Sequence, residues 1–250
     1  MSSDRRLAAV RVGVYIDGYN LYYGARGLCG RGTPGWRWLD VRALAASLIN
    51  PAFWPAPTIE RVVYCTAPIH GQANASGSRD QDVYLKALRA TGSADRVELG
   101  KYIETVKVAP LATRDAKGRP IIQRSSWPVM VKGAAGDVPD ATFMVSVAYR
   151  EEKGSDVNVA AHLLLDVLTD AVDAAIVISN DSDLRFPVEE ARRRVPVGTV
   201  NPSASRLAGD LKGSATAGAG RHWWRQLSGA DIIAHQLPEP AAGFHRPPGW

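Results

Sequence analysis

The sequence predicts a mixed α/β domain built on a mostly parallel central sheet. The first observation is that short apolar runs alternate along the chain with segments of helical periodicity. The second is that these runs are rich in valine and isoleucine without alternating polar residues, which is typical of strands buried on both faces. The third is that two runs, 10–16 and 175–179, end abruptly at acidic turns. Open α/β sheets place their ligands at such turns.

Length and composition are those of an ordinary globular protein. The chain has 250 residues, enough for one large α/β domain or a domain with appendages. Its net charge of +5 is compatible with an acidic partner such as nucleic acid. Two cysteines form neither a disulfide framework nor a zinc cluster. Because no signal peptide and no membrane span is recognisable, we expect a soluble, cytoplasmic protein without membrane contact.

The elements predicted before residue 100 follow the alternation. Residues 1–9 are expected to be a loose lead-in, and the folded domain is expected over 10–235. Asp40 precedes an apolar stretch and is expected to cap a helix. In order, the predicted elements are a strand over 10–16, a helix beginning at 21–25, a helix over 41–49, a strand over 60–66, a helix over 79–91 and a strand over 96–99.

Residues of about 101–150 break the alternation and predict a β-rich insertion. Up to Lys132 this stretch carries seven basic residues against two acidic ones, Glu104 and Asp115. A solvated hairpin excursion would account for that composition. Alternatively, the insertion is a basic surface that binds RNA and stacks an aromatic side chain on a base. The residues of this second interpretation are Lys101, Lys107, Arg124, Trp127 and Lys132.

The alternation resumes after the insertion. The stretch 203–220 is rich in Ala, Gly and Ser and predicts weak order, and the Pro/Gly composition of 236–250 predicts a disordered tail. In order, the other predicted elements are a helix over 157–168, a strand over 175–179, a helix over 184–194, a strand over 195–200 and a short closing helix over 222–234.

Four aspartates are expected to meet at one edge of the sheet. Asp17 follows the first strand, and Asp181 and Asp183 follow the strand over 175–179. Asp156 opens the helix leading into that strand, and a helix antiparallel to the strands begins at the same edge. Asp181 and Asp183 alone could simply cap the following helix. The presence of Asp17 and Asp156 favours a shared cleft instead.

A cleft of carboxylates favours a divalent cation. Two bare carboxylates about 4 Å apart repel each other by about 4 kcal/mol at a protein-surface dielectric, and a cation offsets this repulsion. Oxygen ligands without a His/Cys set indicate Mg²⁺ or Mn²⁺ rather than zinc. Such a metal beside a basic surface can activate water for phosphodiester hydrolysis. No glycine-rich phosphate-binding or dinucleotide-binding motif is present, which argues against an NTPase or a dinucleotide enzyme.

Three short motifs agree in order and spacing with those of a known family. They are Val-Tyr-Ile-Asp-Gly-Tyr-Asn-Leu over 14–21, Lys-Gly-Ser-Asp-Val-Asn over 153–158 and Ser-Asn-Asp-Ser-Asp-Leu over 179–184. Together they resemble the motifs of the NYN domain family, the PIN-like nuclease relatives also described as LabA-like. The resemblance covers the predicted domain over 10–235.

The resemblance implies a PIN-like three-layer α/β/α sandwich and a metal-dependent ribonuclease that hydrolyses RNA. It implies Mg²⁺ or Mn²⁺ as the cofactor and RNA as the partner. The metal-binding and catalytic residues it implies are Asp17, Asp156, Asp181 and Asp183, with Asn20, Ser179 and Lys153 in supporting positions.

One position departs from the pattern of the family. Many relatives carry a further acid after the second motif, whereas this sequence has His162 there. Asp166 lies four residues later on the same predicted helix face, so we expect the two side chains to pair. We expect His162 to pack rather than to bind metal, which leaves the number of metal ions open.

Two other classes of function stay open. One is an RNA-binding or scaffold module with a silent acidic cluster, although four intact aspartates favour an enzyme. The other is a phosphatase of the haloacid dehalogenase type, which uses a strand-end Asp followed two residues later by a second Asp. Asp17 is followed at that position by Tyr19, and the pair Asp181 and Asp183 has the spacing but lies late in the chain.

Overall fold

The computed structural model describes residues 9–71, 74–124 and 130–250. Nearly all of the predicted lead-in, 1–9, lies outside the described residues, as does Trp127. The chain forms two compact units. The larger comprises the residues up to Tyr102 together with Glu152–Trp250, and the smaller comprises Ile103–Glu151. None of the described helices is long and apolar enough to cross a membrane.

Six parallel strands form the central sheet of the larger unit, which confirms the predicted mostly parallel α/β sheet. In chain order, the strands of the two units are β1 (Val10–Asp17), β2 (Pro57–Thr66), β3 (Arg96–Leu99), β4 (Lys101–Pro110), β5 (Ala112–Arg114), β6 (Pro120–Ile122), β7 (Lys132–Gly133), β8 (Gly136–Asp137), β9 (Met144–Lys153), β10 (Ala174–Ile178), β11 (Val197–Asn201) and β12 (Trp223–Gln226). The order across the central sheet is β12, β11, β10, β1, β2 and β3.

Helices cover both faces of this sheet. They are α1 (Gly18–Cys29), α2 (Val41–Leu48), α3 (Ala75–Ala90), α4 (Ser155–Leu168), α5 (Arg185–Arg192), α6 (Gly209–Lys212) and α7 (Gly229–Ala234), with one 3₁₀ turn at Ser182–Leu184. Side chains of α1, α2, α3 and α7 share one hydrophobic core, and side chains of α4, α5 and α6 share a second. Strand β10 contributes Ile176 to the first core and Val177 to the second, as expected of a strand buried on both faces.

Local sequence signals explain several boundaries. The Asp40 carboxylate accepts hydrogen bonds from the amides of Arg42 and Ala43 at 3.1 and 3.0 Å, which confirms the predicted cap of α2. Helix α3 begins earlier than predicted because Asn74 caps it by accepting from Gly77 N at 3.0 Å. Part of the Gly/Ser-rich stretch before Arg79 is therefore helical.

The segment after β11 differs from what the sequence predicts. Residues 223–226 are the edge strand β12 rather than the start of a helix, and the closing helix is confined to α7. Trp223 is held in place there because its ring lies against Gly198, where a side chain would collide with it. The stretch 203–220, for which weak order was expected, contains α6 with Leu211 fully buried.

The tail over 236–250 packs against the larger unit, whereas its composition favoured disorder. Leu237 N donates to Trp38 O at 2.7 Å, and Trp38 Nε1 donates to Pro238 O at 3.0 Å. The ring of Trp250 lies 5.7 Å from that of Tyr84, centroid to centroid. Aromatic packing and backbone hydrogen bonds therefore outweigh the Pro/Gly content.

Among the described residues of the smaller unit there are three two-stranded sheets, β4 with β9, β5 with β6 and β7 with β8. The predicted RNA-binding side chains in this unit have local partners. Lys107 Nζ lies 3.6 Å from Glu151 and 3.4 Å from the ring centroid of Tyr149. Lys132 pairs with Asp137, and Arg124 donates to Asp140 O at 3.2 Å. Lys107 and Lys132 are thus each paired with a carboxylate, whereas the partner of Arg124 is a neutral backbone carbonyl.

A buried ionic network joins β1, β2 and α4. Asp166, 2% exposed, accepts from Tyr15 Oη at 2.9 Å and from Arg61 Nη1 at 2.8 Å. The hydroxyl of Tyr15 occupies the space that a side chain at position 13 would fill, since a Cβ on Gly13 would lie 2.4 Å from it. The predicted pairing of Asp166 with His162 is wrong, because Asp166 faces the sheet, where these stronger partners lie.

Replacement of Asp166 by alanine should lower the free energy of unfolding by about 3–5 kcal/mol, because Arg61 and the Tyr15 hydroxyl would lose their buried partner. Urea unfolding followed by circular dichroism measures this loss. The matched control is Asp173→Ala, which breaks an exposed ion pair with Arg11 of the same 2.8 Å length and should cost about 1 kcal/mol or less. If both variants lose the same free energy of unfolding, the burial of Asp166 does not add to stability and the prediction is wrong.

The buried imidazole of His222 links β11 to the loop that precedes β12. Val197 N donates to its Nδ1 at 3.0 Å, and its Nε2 lies 2.7 Å from Ala217 O. Burial lowers the pKa of His222 from its usual 6.5, and the Arg192 guanidinium acts in the same direction, while the bond to Ala217 opposes it. The folded state therefore resists protonation of this side chain.

Stability should fall as the pH drops below 6.5, because the unfolded chain takes up a proton on His222 that the folded chain does not. Above that pH both states are neutral at this position and the contribution is constant. In His222→Asn this part of the pH dependence should disappear, as measured by urea unfolding between about pH 5 and pH 8. His245→Asn, at an exposed histidine, is the control, and a pH profile unchanged by His222→Asn would refute the assignment.

Candidate functional site at the carboxyl edge of the sheet

The candidate site lies at the point where the strand order reverses. After β1 the chain builds the sheet outward through β2 and β3, and after β10 it builds outward on the other side through β11 and β12. Strands β1 and β10 are neighbours, paired through Ile16 and Ile178 at their carboxyl ends. Crevices at such reversal points are where open α/β sheets bind ligands.

Asp17 occupies the end of β1 and is 4% exposed. Its Oδ1 accepts from Asn20 N at 2.9 Å, so the carboxylate also caps α1. Its Oδ2 accepts from Ser179 Oγ at 3.1 Å across the gap between β1 and β10. Asp17 and Ser179, both predicted as site residues, are therefore in direct contact.

The turn after β10 continues this hydrogen-bond network. Ser179 Oγ accepts from Asp181 N at 3.1 Å, and Asp181 Oδ1 accepts from Asp183 N at 3.0 Å. Asn20 Oδ1 accepts from Asn180 N at 3.2 Å, which ties the start of α1 to the end of β10. Asn20 and Ser179 thus belong to one hydrogen-bond network with Asp17, and their supporting roles at a metal site stay a prediction.

The environment of Asp17 disfavours the ionised form of its carboxyl group. Burial raises the pKa of the Asp17 carboxyl, hydrogen bonds from Asn20 and Ser179 oppose the rise, and the Asp181 carboxylate adds to it. A cation between Asp17 and Asp181 would relieve both the burial and the repulsion. Mg²⁺ is commonly bound by one or two carboxylates that leave room for water and phosphate oxygens. Asp17 and Asp181 offer the kind of ligand that such an ion prefers.

The other two aspartates are less closely integrated. Asp156 lies in the first turn of α4 and is half-buried, and the Asp183 side chain is exposed beside the 3₁₀ turn. In the described part of the chain, no group of three or more His, Cys, Asp or Glu side chains is close enough together to hold a metal ion. The structure thus brings Asp17 and Asp181 together but does not assemble all four acids into one ligand cluster.

His162 has a different partner from the one expected. Its Nε2 lies 3.0 Å from Glu98 Oε1 at the end of β3, while its Nδ1 is buried without a partner among the described residues. Ser155, one residue before Asp156, likewise has a buried hydroxyl without a described partner. Lys101 and Lys153 are exposed, and each lies close in sequence to a boundary of the larger unit.

A cavity of about 390 Å³ adjoins the acidic turn, and the sequence reasoning missed it. It begins at Gly18, where a Cβ would lie 2.7 Å from the Tyr64 ring, so the absence of a side chain lets this ring reach the end of β1. Its aromatic lining residues are Tyr19, Tyr22, Tyr23, Trp36, Tyr64, Tyr84, Tyr102 and Trp250. The three tyrosines at helical spacing directly after Asp17 were the available sequence signal.

Replacement of Ser179 by alanine should lower the free energy of unfolding by about 1–3 kcal/mol, because the buried Asp17 carboxylate loses a donor and the amide of Asp181 loses its acceptor. Chemical unfolding measures this loss. The control is Ser47→Ala, which removes a hydroxyl that donates to Leu44 O at the surface of α2 and should change stability by about 0.5 kcal/mol or less. A Ser179 variant as stable as the control would show that the network is not structurally important.

Comparison with known proteins adds two similarities. The chain is 28% identical over 265 residues to 6-hydroxy-3-succinoylpyridine 3-monooxygenase HspA from Pseudomonas putida, spanning 96% of this chain and 75% of that protein. The crystal structure of a protein of unknown function from Vibrio parahaemolyticus aligns with a TM-score of 0.46 at 16% identity, covering 91% of this chain and 97% of that one. No family model matches the chain. Neither similar protein is named as an NYN protein, so that resemblance stays a prediction.

Proposed function

We propose that the chain is a metal-dependent ribonuclease that hydrolyses RNA phosphodiester bonds at the carboxyl edge of its sheet. The observation that carries the proposal is that Ser179 Oγ bonds to both Asp17 Oδ2 and the amide of Asp181, which brings these two aspartates to one point of the edge. Two carboxylates at one point of the edge repel each other, and a divalent cation offsets that repulsion. The three motifs that resemble those of NYN domains contain both residues.

In this proposal Asp17 and Asp181 hold Mg²⁺ or Mn²⁺. Asp156 and Asp183 contribute further oxygen ligands, directly or through water, and Ser179 keeps the Asp17 carboxylate oriented. The ion, when bound, lowers the pKa of a coordinated water and stabilises the charge that develops on the scissile phosphate. Lys101 and Lys153 supply positive charge for neighbouring phosphates.

The test is incubation of the purified protein with a mixed RNA pool in Mg²⁺ or Mn²⁺, with EDTA in a parallel reaction. Cleavage should require the metal, and the double variant Asp181→Asn, Asp183→Asn should lose roughly 100-fold or more of the rate, since changes outside the ligand shell already cost about 10–100-fold. The control variant is Asp82→Asn, which removes an exposed carboxylate that pairs with Lys86 on α3 and should leave the rate unchanged.

Two outcomes would contradict the ribonuclease. If RNA is bound equally by wild type and the double variant without cleavage, the chain is an RNA-binding module, and substitutions at Lys101, Lys107, Arg124 and Lys132 become the next experiment. If p-nitrophenyl phosphate is hydrolysed and RNA is not, a phosphatase replaces the nuclease.

A second candidate function is oxygenation of a small aromatic compound. It is favoured by the 28% identity to HspA, a protein named as a monooxygenase, across 96% of the chain. Monooxygenation places one oxygen atom of O₂ in the product and reduces the other to water with two electrons from a donor. The test measures O₂ uptake with 6-hydroxy-3-succinoylpyridine and NADH or NADPH. Uptake that depends on both substrates would establish this function, and uptake at the background rate would exclude it for that compound.

A further inference from the structure

The cavity beside Gly18 has the size and position of a ligand site. Its volume of about 390 Å³ lies within the range of small-molecule pockets. It is lined by the first turns of α1 and by Thr66 and Ala67 at the end of β2, so it shares the carboxyl edge of the sheet with Asp17. All of its lining residues belong to the larger unit.

Eight aromatic residues line the cavity. On α1, Tyr19 and Tyr23 lie 4.5 Å apart, and Tyr22 lies 5.5 Å from Trp36, measured between ring centroids. Tyr22 is nevertheless 39% exposed, so it keeps a ring face open. Tyrosines left exposed in this way next to a cavity provide stacking surfaces for a planar ligand.

Other lining residues are held in place by packing of their rings and by a hydrogen bond. The rings of Tyr64 and Tyr84 lie 6.3 Å apart, and Trp250 lies 5.7 Å from Tyr84. Arg37 Nη1 donates to Gly249 O at 2.9 Å and its guanidinium lies 4.8 Å from the Trp36 ring centroid, which fixes the tail at this side of the cavity. A wall held by ring packing and a cation is preorganised for a flat ligand.

Polar groups in the wall select for heteroatoms. The hydroxyl of Tyr64 makes no hydrogen bond within the part of the chain that the structure describes, and burial raises the pKa of this side chain, so the proton is retained for donation. The indole Nε1 of Trp36 is likewise a buried donor without a described acceptor. Asp80, also in the lining, offers an acceptor. A plain hydrocarbon would leave the two donors, Tyr64 and Trp36, without an acceptor.

We infer that this cavity is a binding site for one planar nitrogen-heteroaromatic ring, supplied as an unstacked base of an RNA strand or as a free small molecule. The ring of the ligand stacks against Tyr22. A ring nitrogen or carbonyl oxygen of the ligand accepts a hydrogen bond from the Tyr64 hydroxyl. This site is separate from the metal-binding aspartates, and its occupancy does not depend on whether those aspartates cleave RNA.

The experiment measures binding of two probes by isothermal titration calorimetry and saturation-transfer NMR. Cytidine 5′-monophosphate tests the base of a nucleotide, 3-hydroxypyridine tests a free ring, and cyclohexanol is the non-planar control. Tyr22→Ala should weaken binding roughly tenfold by removing the stacking face. Tyr64→Phe, which keeps the packing, should weaken it by about three- to tenfold. Thermal unfolding establishes that each variant is folded.

Tyr149→Ala is the matched control, since Tyr149 is 38% exposed, close to the 39% of Tyr22, and lies outside the cavity lining. It should bind as wild type does, and so should the variant Asp181→Asn, Asp183→Asn. Binding of the nucleotide alone assigns the cavity to an RNA base, and binding of 3-hydroxypyridine alone assigns it to a free compound. The inference is overturned if neither probe binds at millimolar concentration, if cyclohexanol binds as well, or if Tyr149→Ala weakens binding as much as Tyr22→Ala.

Discussion

The arrangement of the acidic edge depends on the hydrogen bond from Ser179 to Asp17. It joins the carboxyl ends of β1 and β10 at the one place where the strand order of the sheet reverses. The same hydroxyl accepts from the amide of Asp181 and so orients the turn that follows. A hydroxyl can donate to one group while accepting from another, which is why serine suits this position better than a carboxylate or an aliphatic residue.

The parallel sheet was predictable because its strands are buried on both faces and therefore read as uninterrupted apolar runs. Strand β3 was located at its observed bounds, Arg96–Leu99, and the cap at Asp40 was recognisable from its position before an apolar helix. Strand β12 was not predictable in this way. It is an edge strand held by the packing of Trp223 on Gly198, a contact between positions 25 residues apart that no local pattern records.

The candidate site was predictable to the extent that it is made of strand ends. Parallel topology alone brings Asp17 and the turn after β10 to one edge, whatever the side chains between them. The cavity was not predictable because its walls come from α1, the loop at Trp36, the end of β2, α3 and the tail. Packing of the tail in particular follows from tertiary contacts of Trp250, which outweigh a Pro/Gly composition typical of disorder.

Glycine is required at position 13 because of a carboxylate far away in the sequence, that of Asp166. Gly13 lies in β1 where the pairing with β2 shifts register, and a Cβ there would overlap the hydroxyl of Tyr15, which reaches across to Asp166. Positions 13, 15 and 166 therefore accept substitutions as a set. A larger residue at 13 becomes acceptable once Tyr15 is shortened, and a shortened Tyr15 in turn removes one partner of the buried carboxylate. Among variants selected for folding, changes at these three positions should occur together.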